Sequence, residues 1–415
     1  MTVLELTSAV QVGRQAIHDW QRSVVGYGLS FRHVDPVIPV NGPATEAASE
    51  DDRRRAVGDV IAAVLATFRP ADLAGERPLV VTVPRPFLVG ERLLPGDVDP
   101  GRLVVAVPPD VAADGELLAG LRRLRDADVG VAVAGYTGQE ERTEVARLSD
   151  IVSIDLGRVD VAALPRVAAA ARRANPRATL AVDRVEDAES FEAARDAGAE
   201  YFSGYHLQRP PVVDVAQLAP SEVMCLRLLG VLSGDDVSMT DVESIVAGDP
   251  GLAVRVLRTA SSASAAGHPV SSLRQALALI GPRMLSSWVV LMLVGGTGSL
   301  AADTVVTLLA RAGTCAGLAS GAPHVAYTVG LLAGVSDSLG MSAVDTVRAT
   351  GVGPEVADAL ISGEGPAGVA LRAVLAHERG NPQAVVANGF TPYEVSREYL
   401  EAVRQAMPVA VGIER

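Results

Sequence analysis

Hydrophobic periodicity changes once along this chain, and that change limits the folds open to it. Up to about residue 205 short β-rich runs alternate with helical segments; beyond it β signals nearly vanish. The runs at 79–83, 103–107, 129–134, 151–155, 179–182 and 201–204 are mostly continuous Val, Ile and Leu. Such runs are expected where a parallel strand is buried on both faces. Two earlier runs, 10–17 and 24–31, flank the polar stretch 18–23 and read as a hairpin. Helical patterns at 53–68, 112–125, 139–148, 161–173 and 188–197 fill the intervals. The pattern predicts an α/β first half, a TIM-like (β/α) barrel whose first strand is antiparallel to the next. A doubly wound open sheet is the competitor; the hairpin start and the lack of a Gly-rich first turn count against it.

From residue 217 the period is helical, at 222–232, 241–247, 252–263, 273–293, 301–316, 325–339 and 354–361. Asp249-Pro250 reads as a helix start, and Thr240-Asp241-Val242-Glu243 has capping-box order. The boundary falls at Arg209-Pro210-Pro211, giving a barrel over 1–210 and an all-α domain over 211–415. A chain of 415 residues exceeds the length at which one core usually divides. With aromatics at only 4 %, both cores must be built from Ala, Val and Leu. Residues 33–49, rich in Pro, Gly and small residues, are expected to form an exposed loop.

Several function classes are disfavoured. Net charge is −13, and the densest basic cluster, Arg53-Arg54-Arg55, directly follows Asp51 and Asp52. It reads as a solvated helix start, so no nucleic-acid partner is expected. Cys225 and Cys315 form no CxxC or zinc spacing, which suits a reducing cytoplasm. No signal peptide is read, and the longest apolar run, 284–294, is too short to cross a bilayer. The expectation is a cytoplasmic protein without membrane insertion.

Particular motifs resemble a known pair of domains. Gly13-Arg14-Gln15-Ala16-Ile17, Asp19 and Val25-Gly26-Tyr27-Gly28-Leu29-Ser30-Phe31-Arg32 resemble the opening of EAL domains fused to HDOD domains. Ser203-Gly204-Tyr205-His206-Leu207-Gln208-Arg209-Pro210 is similar to the segment that closes the EAL barrel. Gly248-Asp249-Pro250-Gly251-Leu252, Val256 to Ala263, Ser272 to Ala276 and Ile280-Gly281 resemble HDOD. The resemblance implies an HD-like helical bundle without its metal, behind a barrel related to cyclic di-GMP phosphodiesterases.

EAL enzymes use divalent metals on oxygen ligands to activate a water for attack on a phosphodiester. The resemblance puts Gly28 at the signature glutamate, Thr82 at an asparagine ligand and Ala106 at a second glutamate. Ala134-Gly135 stand for paired aspartates and Ser153 for a lysine, while Asp155, Asp183 and Glu186 stay acidic. Arg32 matches an arginine that contacts ligand phosphate; the plain alternative pairs it with Asp155 or Glu186. The leading expectation is therefore a non-catalytic signalling scaffold, with no enzyme activity, no catalytic residues and no metal. It would meet protein partners through the HDOD-like domain, with a homo-oligomer permitted. The alternative is a cyclic di-GMP receptor or residual phosphodiesterase using Arg32, Asp155, Asp183 and Glu186, with Mg²⁺ as cofactor.

Overall fold

A computed structural model describes residues 9–33, 49–94, 100–208, 220–232, 238–248, 256, 272–295 and 302–411. The chain divides into two compact units, Met1–Arg209 with His377–Arg397, and Pro210–Ala376 with Glu398–Arg415. Residues 34–48 of the expected loop, the linker Arg209-Pro210-Pro211, the start at Asp249-Pro250 and most of the helix expected at 252–263 lie outside the described residues.

The first unit is a closed eight-stranded barrel. Strands β1 (Val10–His18) and β2 (Val24–His33) form the antiparallel hairpin. Its turn is fastened by Asp19, whose Oδ1 accepts the N–H groups of Gln21 and Ser23 at 2.9 and 2.8 Å. Then follow β3 (Leu79–Thr82), β4 (Leu103–Val107), β5 (Gly130–Val133), β6 (Ile151–Asp155), β7 (Thr179–Asp183) and β8 (Tyr201–Phe202). Each runs parallel to the one before, from β2 onward. The expected barrel with its reversed first strand is the observed one.

Alternate residues serve two layers. Tyr27, Leu29, Leu79, Val81, Leu103, Val105 and Val131 are at most 2 % exposed. Tyr27 faces outward: Arg14 lies over its ring at 3.6 Å and donates from Nε to the Leu73 carbonyl, in the one-turn helix Pro70–Ala74. Burying each such Leu or Val against the helical shell stabilises the fold by about 1.5–3 kcal/mol. The alternate row is small, with Gly28, Thr82, Ala106, Ala132, Ser153 and Ala181, as the narrow lumen of eight strands requires. The two rows read as unbroken apolar runs because Val and Ala occupy much of the inner one.

Strand β1 meets β8 at a single pair, His18 and Phe202. Part of its remaining edge is occupied by the far C-terminal segment that belongs to this unit. Val12 N–H donates to Ser396 Oγ at 2.8 Å, and Gln11 Nε2 donates to the His377 carbonyl at 3.2 Å. Covering a strand edge in this way satisfies groups that would otherwise recruit another strand. Ser396 and His377 are 0 and 4 % exposed, and burial pushes the His377 pKa down to about 4.

In the second unit the helix Pro323–Leu339 is buried along nearly its whole length. The helix Met239–Ala247 is capped two residues before the expected Thr240, because Ser238 supplies the cap and accepts the Asp241 N–H. Glu243, expected to complete the box, pairs with Arg274 at 2.8 Å instead. Leu273–Gly295 bends at Gly281-Pro282, where Gly281 has φ +74°. One stretch among the described residues, Pro354–Glu378, has the length and hydropathy of a membrane span. The backbone breaks it into helices of 8 and 14 residues at Gly363 (φ +70°), each shorter than the ~20 residues a bilayer needs.

Candidate functional site at the barrel mouth

The strand ends divide into two arcs. On β2 to β5 the motif positions are Gly28, Thr82, Ala106, Ala134 and Gly135, none of them ionisable, while β2 itself ends in Arg32 and His33. A Cβ on Gly28 would meet only the Gln15 carbonyl, at 3.9 Å, so space rather than a side chain occupies that position.

On β6 to β8 the ends are polar and tightly organised. Asp155 and Asp183 are register partners across β6 and β7. Ser203 Oγ donates to Asp183 Oδ1 at 2.6 Å, and Ser153 Oγ donates to the other oxygen. Burial pushes the Asp183 carboxyl above the usual carboxylate range; the two hydroxyls pull the other way, and nearby Asp155 adds to the rise. The chain after β7 passes hard against Gly204, where a Cβ would come within 2.2 Å of the Val185 carbonyl. Only glycine fits there, which is the physical reason for the Gly204-Tyr205 step in the closing motif.

Asp155 is held differently. Its Oδ1 accepts the Gly157 N–H at 2.8 Å and lies 3.2 Å from Arg184 Nε, while Oδ2 lies 3.9 Å from Arg158 Nε. Neither arginine was singled out from sequence, yet each follows a strand-end aspartate, at one residue's distance for Arg184 and three for Arg158. The pairing expected between Arg32 and Asp155 or Glu186 is not formed. Arg32 is exposed opposite Gln11 on β2, four strands round the ring from β6, and Glu186 is exposed in the loop after β7. Of the four candidates, the fold brings Asp155 and Asp183 together and leaves Arg32 and Glu186 apart.

The donor set was tested against the divalent ions that the EAL pattern implies. A magnesium ion takes about six oxygens in near-octahedral order. Asp155 engages two guanidinium groups and a backbone N–H, and Asp183 engages two hydroxyls with its proton affinity raised. Among the described residues no three His, Cys, Asp or Glu side chains converge. As arranged, these oxygens do not fit a pair of metal ions.

A cavity of about 280 Å³ opens elsewhere on the rim, lined by His33, Glu50, Arg53, Arg54, Val57 and Pro84. None of its lining comes from β6 to β8. His206, in the closing motif, meets Arg22 Nη2 at 3.1 Å and packs beside Phe191.

Comparison with known proteins adds the following. Residues 218–338 match the HDOD domain family. The chain is 24 % identical to the cyclic di-GMP phosphodiesterase CdgJ of Vibrio cholerae, over 96 % of its own length and 92 % of the relative's. The Bacillus subtilis YkuI protein, solved with an EAL domain in complex with substrate c-di-GMP and calcium, is 20 % identical; the match covers 49 % of this chain and 57 % of YkuI, with TM-score 0.37. The PaMucR phosphodiesterase in its c-di-GMP complex is 18 % identical, covering 52 % of this chain and 96 % of that one, also with TM-score 0.37. The expectation that the chain is not an enzyme is corrected by the first relative, a protein matched along nearly its whole length and named a phosphodiesterase. That expectation inferred lost activity from six motif positions, and activity is a property of a whole site. The chain thus joins a closed barrel with a reversed first strand to a region that matches the HDOD domain family, and along 96 % of its length it is similar to a protein named a cyclic di-GMP phosphodiesterase.

Proposed function

We propose that the barrel recognises cyclic di-GMP, as a residual phosphodiesterase or as a receptor, and that the HDOD domain supplies contacts to protein partners. The observation that carries this reading is the similarity over 96 % of the chain to a protein named for that activity. The mouth agrees in kind, because arginine forks suit phosphate oxygens and Arg158, Arg184 and Arg32 all belong to strand ends or the loops just after them.

The experiment is a calorimetric titration of cyclic di-GMP into the full chain, with and without Mg²⁺, while chromatography follows the nucleotide. Micromolar binding with a linear dinucleotide product supports the phosphodiesterase form. Binding without product supports the receptor form. Absence of both heat and product at millimolar nucleotide contradicts the reading.

A further inference from the structure

The two guanidinium groups that meet at Asp155 outnumber the charge they neutralise. Arg158 and Arg184 are 54 and 53 % exposed, whereas Asp155 beneath them is 16 % exposed. The donors therefore face solvent with part of their capacity unspent, above a carboxylate that anchors them. The arrangement is built into the backbone. Arg184 adopts φ +63°, in the left-handed region that side-chain-bearing residues enter at a cost of roughly 1–2 kcal/mol. Its guanidinium lies against Gly157, where a Cβ would come within 2.4 Å of Nη1. Neighbouring Asp183 has both carboxyl oxygens engaged by Ser153 and Ser203 rather than by these arginines.

We propose that this rim binds the phosphodiester of the ligand directly through Arg158 and Arg184 without a divalent ion, fixed arginine charge standing where the EAL pattern places metals. The inference rests on the cyclic di-GMP reading of the barrel. Binding draws the guanidinium forks from Asp155 to the phosphate oxygens, a bidentate geometry that a lysine does not reproduce.

The test uses the full chain and cyclic di-GMP, titrated in EDTA and in Mg²⁺. The expected result is affinity equal within about twofold in the two buffers and weakened about tenfold or more in Arg158→Ala/Arg184→Ala, with an unchanged far-ultraviolet spectrum. Asp155→Asn releases both arginines and is expected to tighten binding about threefold, a gain that a merely structural role would not produce. Affinity lost in EDTA, or unchanged in the double variant, overturns the inference while leaving cyclic di-GMP as the ligand. If the wild-type chain does not bind cyclic di-GMP, the functional reading fails by itself. A linear dinucleotide then decides the rim: EDTA-resistant binding lost in the double variant supports it, and no binding overturns it.

Discussion

The two arcs of the barrel mouth were built by the same fold to opposite ends. From β2 to β5 the motif positions carry Gly28, Thr82, Ala106, Ala134 and Gly135, and a side chain added at Gly28 would enter open space. From β6 to β8 the ends carry Ser153, Asp155, Asp183, Arg184 and Ser203, joined by hydrogen bonds and ion pairs, with the backbone crossing Gly204 at contact distance. The barrel's stability comes from the outward row and its helices, which both arcs share. What differs is polar organisation, and the proposed recognition falls on the second arc.

The sharpest contrast between the arcs is a pair of glycines. Gly204→Ala drives a methyl into the Val185 carbonyl and is expected to destabilise the barrel by about 3 kcal/mol or more. Gly28→Ala meets nothing closer than 3.9 Å and is expected to change stability by less than about 0.5 kcal/mol. Urea midpoints of the two variants settle the comparison, and equal losses would break it.

A second effect of similar size belongs to the segment beside β1. His377 has its folded pKa lowered to about 4 by burial, from 6.5 when free. Its neutral form is favoured in the fold, so its contribution is fully present above pH 6.5 and is lost as pH falls toward 4. The loss over that window is about 3 kcal/mol. His377→Gln is expected to flatten the unfolding free energy between pH 7 and pH 4.5, measured by urea titration; an unchanged slope would remove His377 as its source.

A smaller effect isolates charge within the polar arc. Asp183→Asn keeps an acceptor for one serine and offers a donor to the other while removing a carboxylate that burial disfavours. The expected change is a gain of about 1 kcal/mol at neutral pH, whereas Asp183→Ala, which strands two hydroxyls, is expected to lose about 1–2 kcal/mol. The smallest effect expected is that of Arg32→Ala on cyclic di-GMP affinity, about threefold or less, because Arg32 lies on the opposite side of the ring. A larger loss would move recognition toward the bare arc.

Much of the fold was legible because periodicity reports burial directly. All eight strands appear where β-rich runs lie, and Asp19 holds the hairpin turn as its motif suggests. The helices Ala343–Thr350, Gly365–Glu378, Pro382–Ala387 and Pro392–Val411 were not anticipated, although local signals existed. Ser342 caps the first by accepting the Asp345 N–H, Asn381-Pro382 starts the third, and Thr391-Pro392 the fourth. That 377–397 belongs with the barrel was invisible, since a contact between Val12 and Ser396 spans 384 residues and leaves no periodic trace. At the site, motif positions located Asp155 and Asp183 but not Arg158 and Arg184. Their placement arises from loop geometry, a left-handed residue and a glycine beside it, which no spacing rule encodes.

Hydrogen exchange of the full chain with and without saturating cyclic di-GMP tests the division between arcs most directly. The account expects slowed exchange in peptides covering 153–158, 183–187 and 203–206, with 28–32 and 82–85 unchanged. Slowing confined to 28–32 and 82–85, or absent from the barrel altogether, would contradict it.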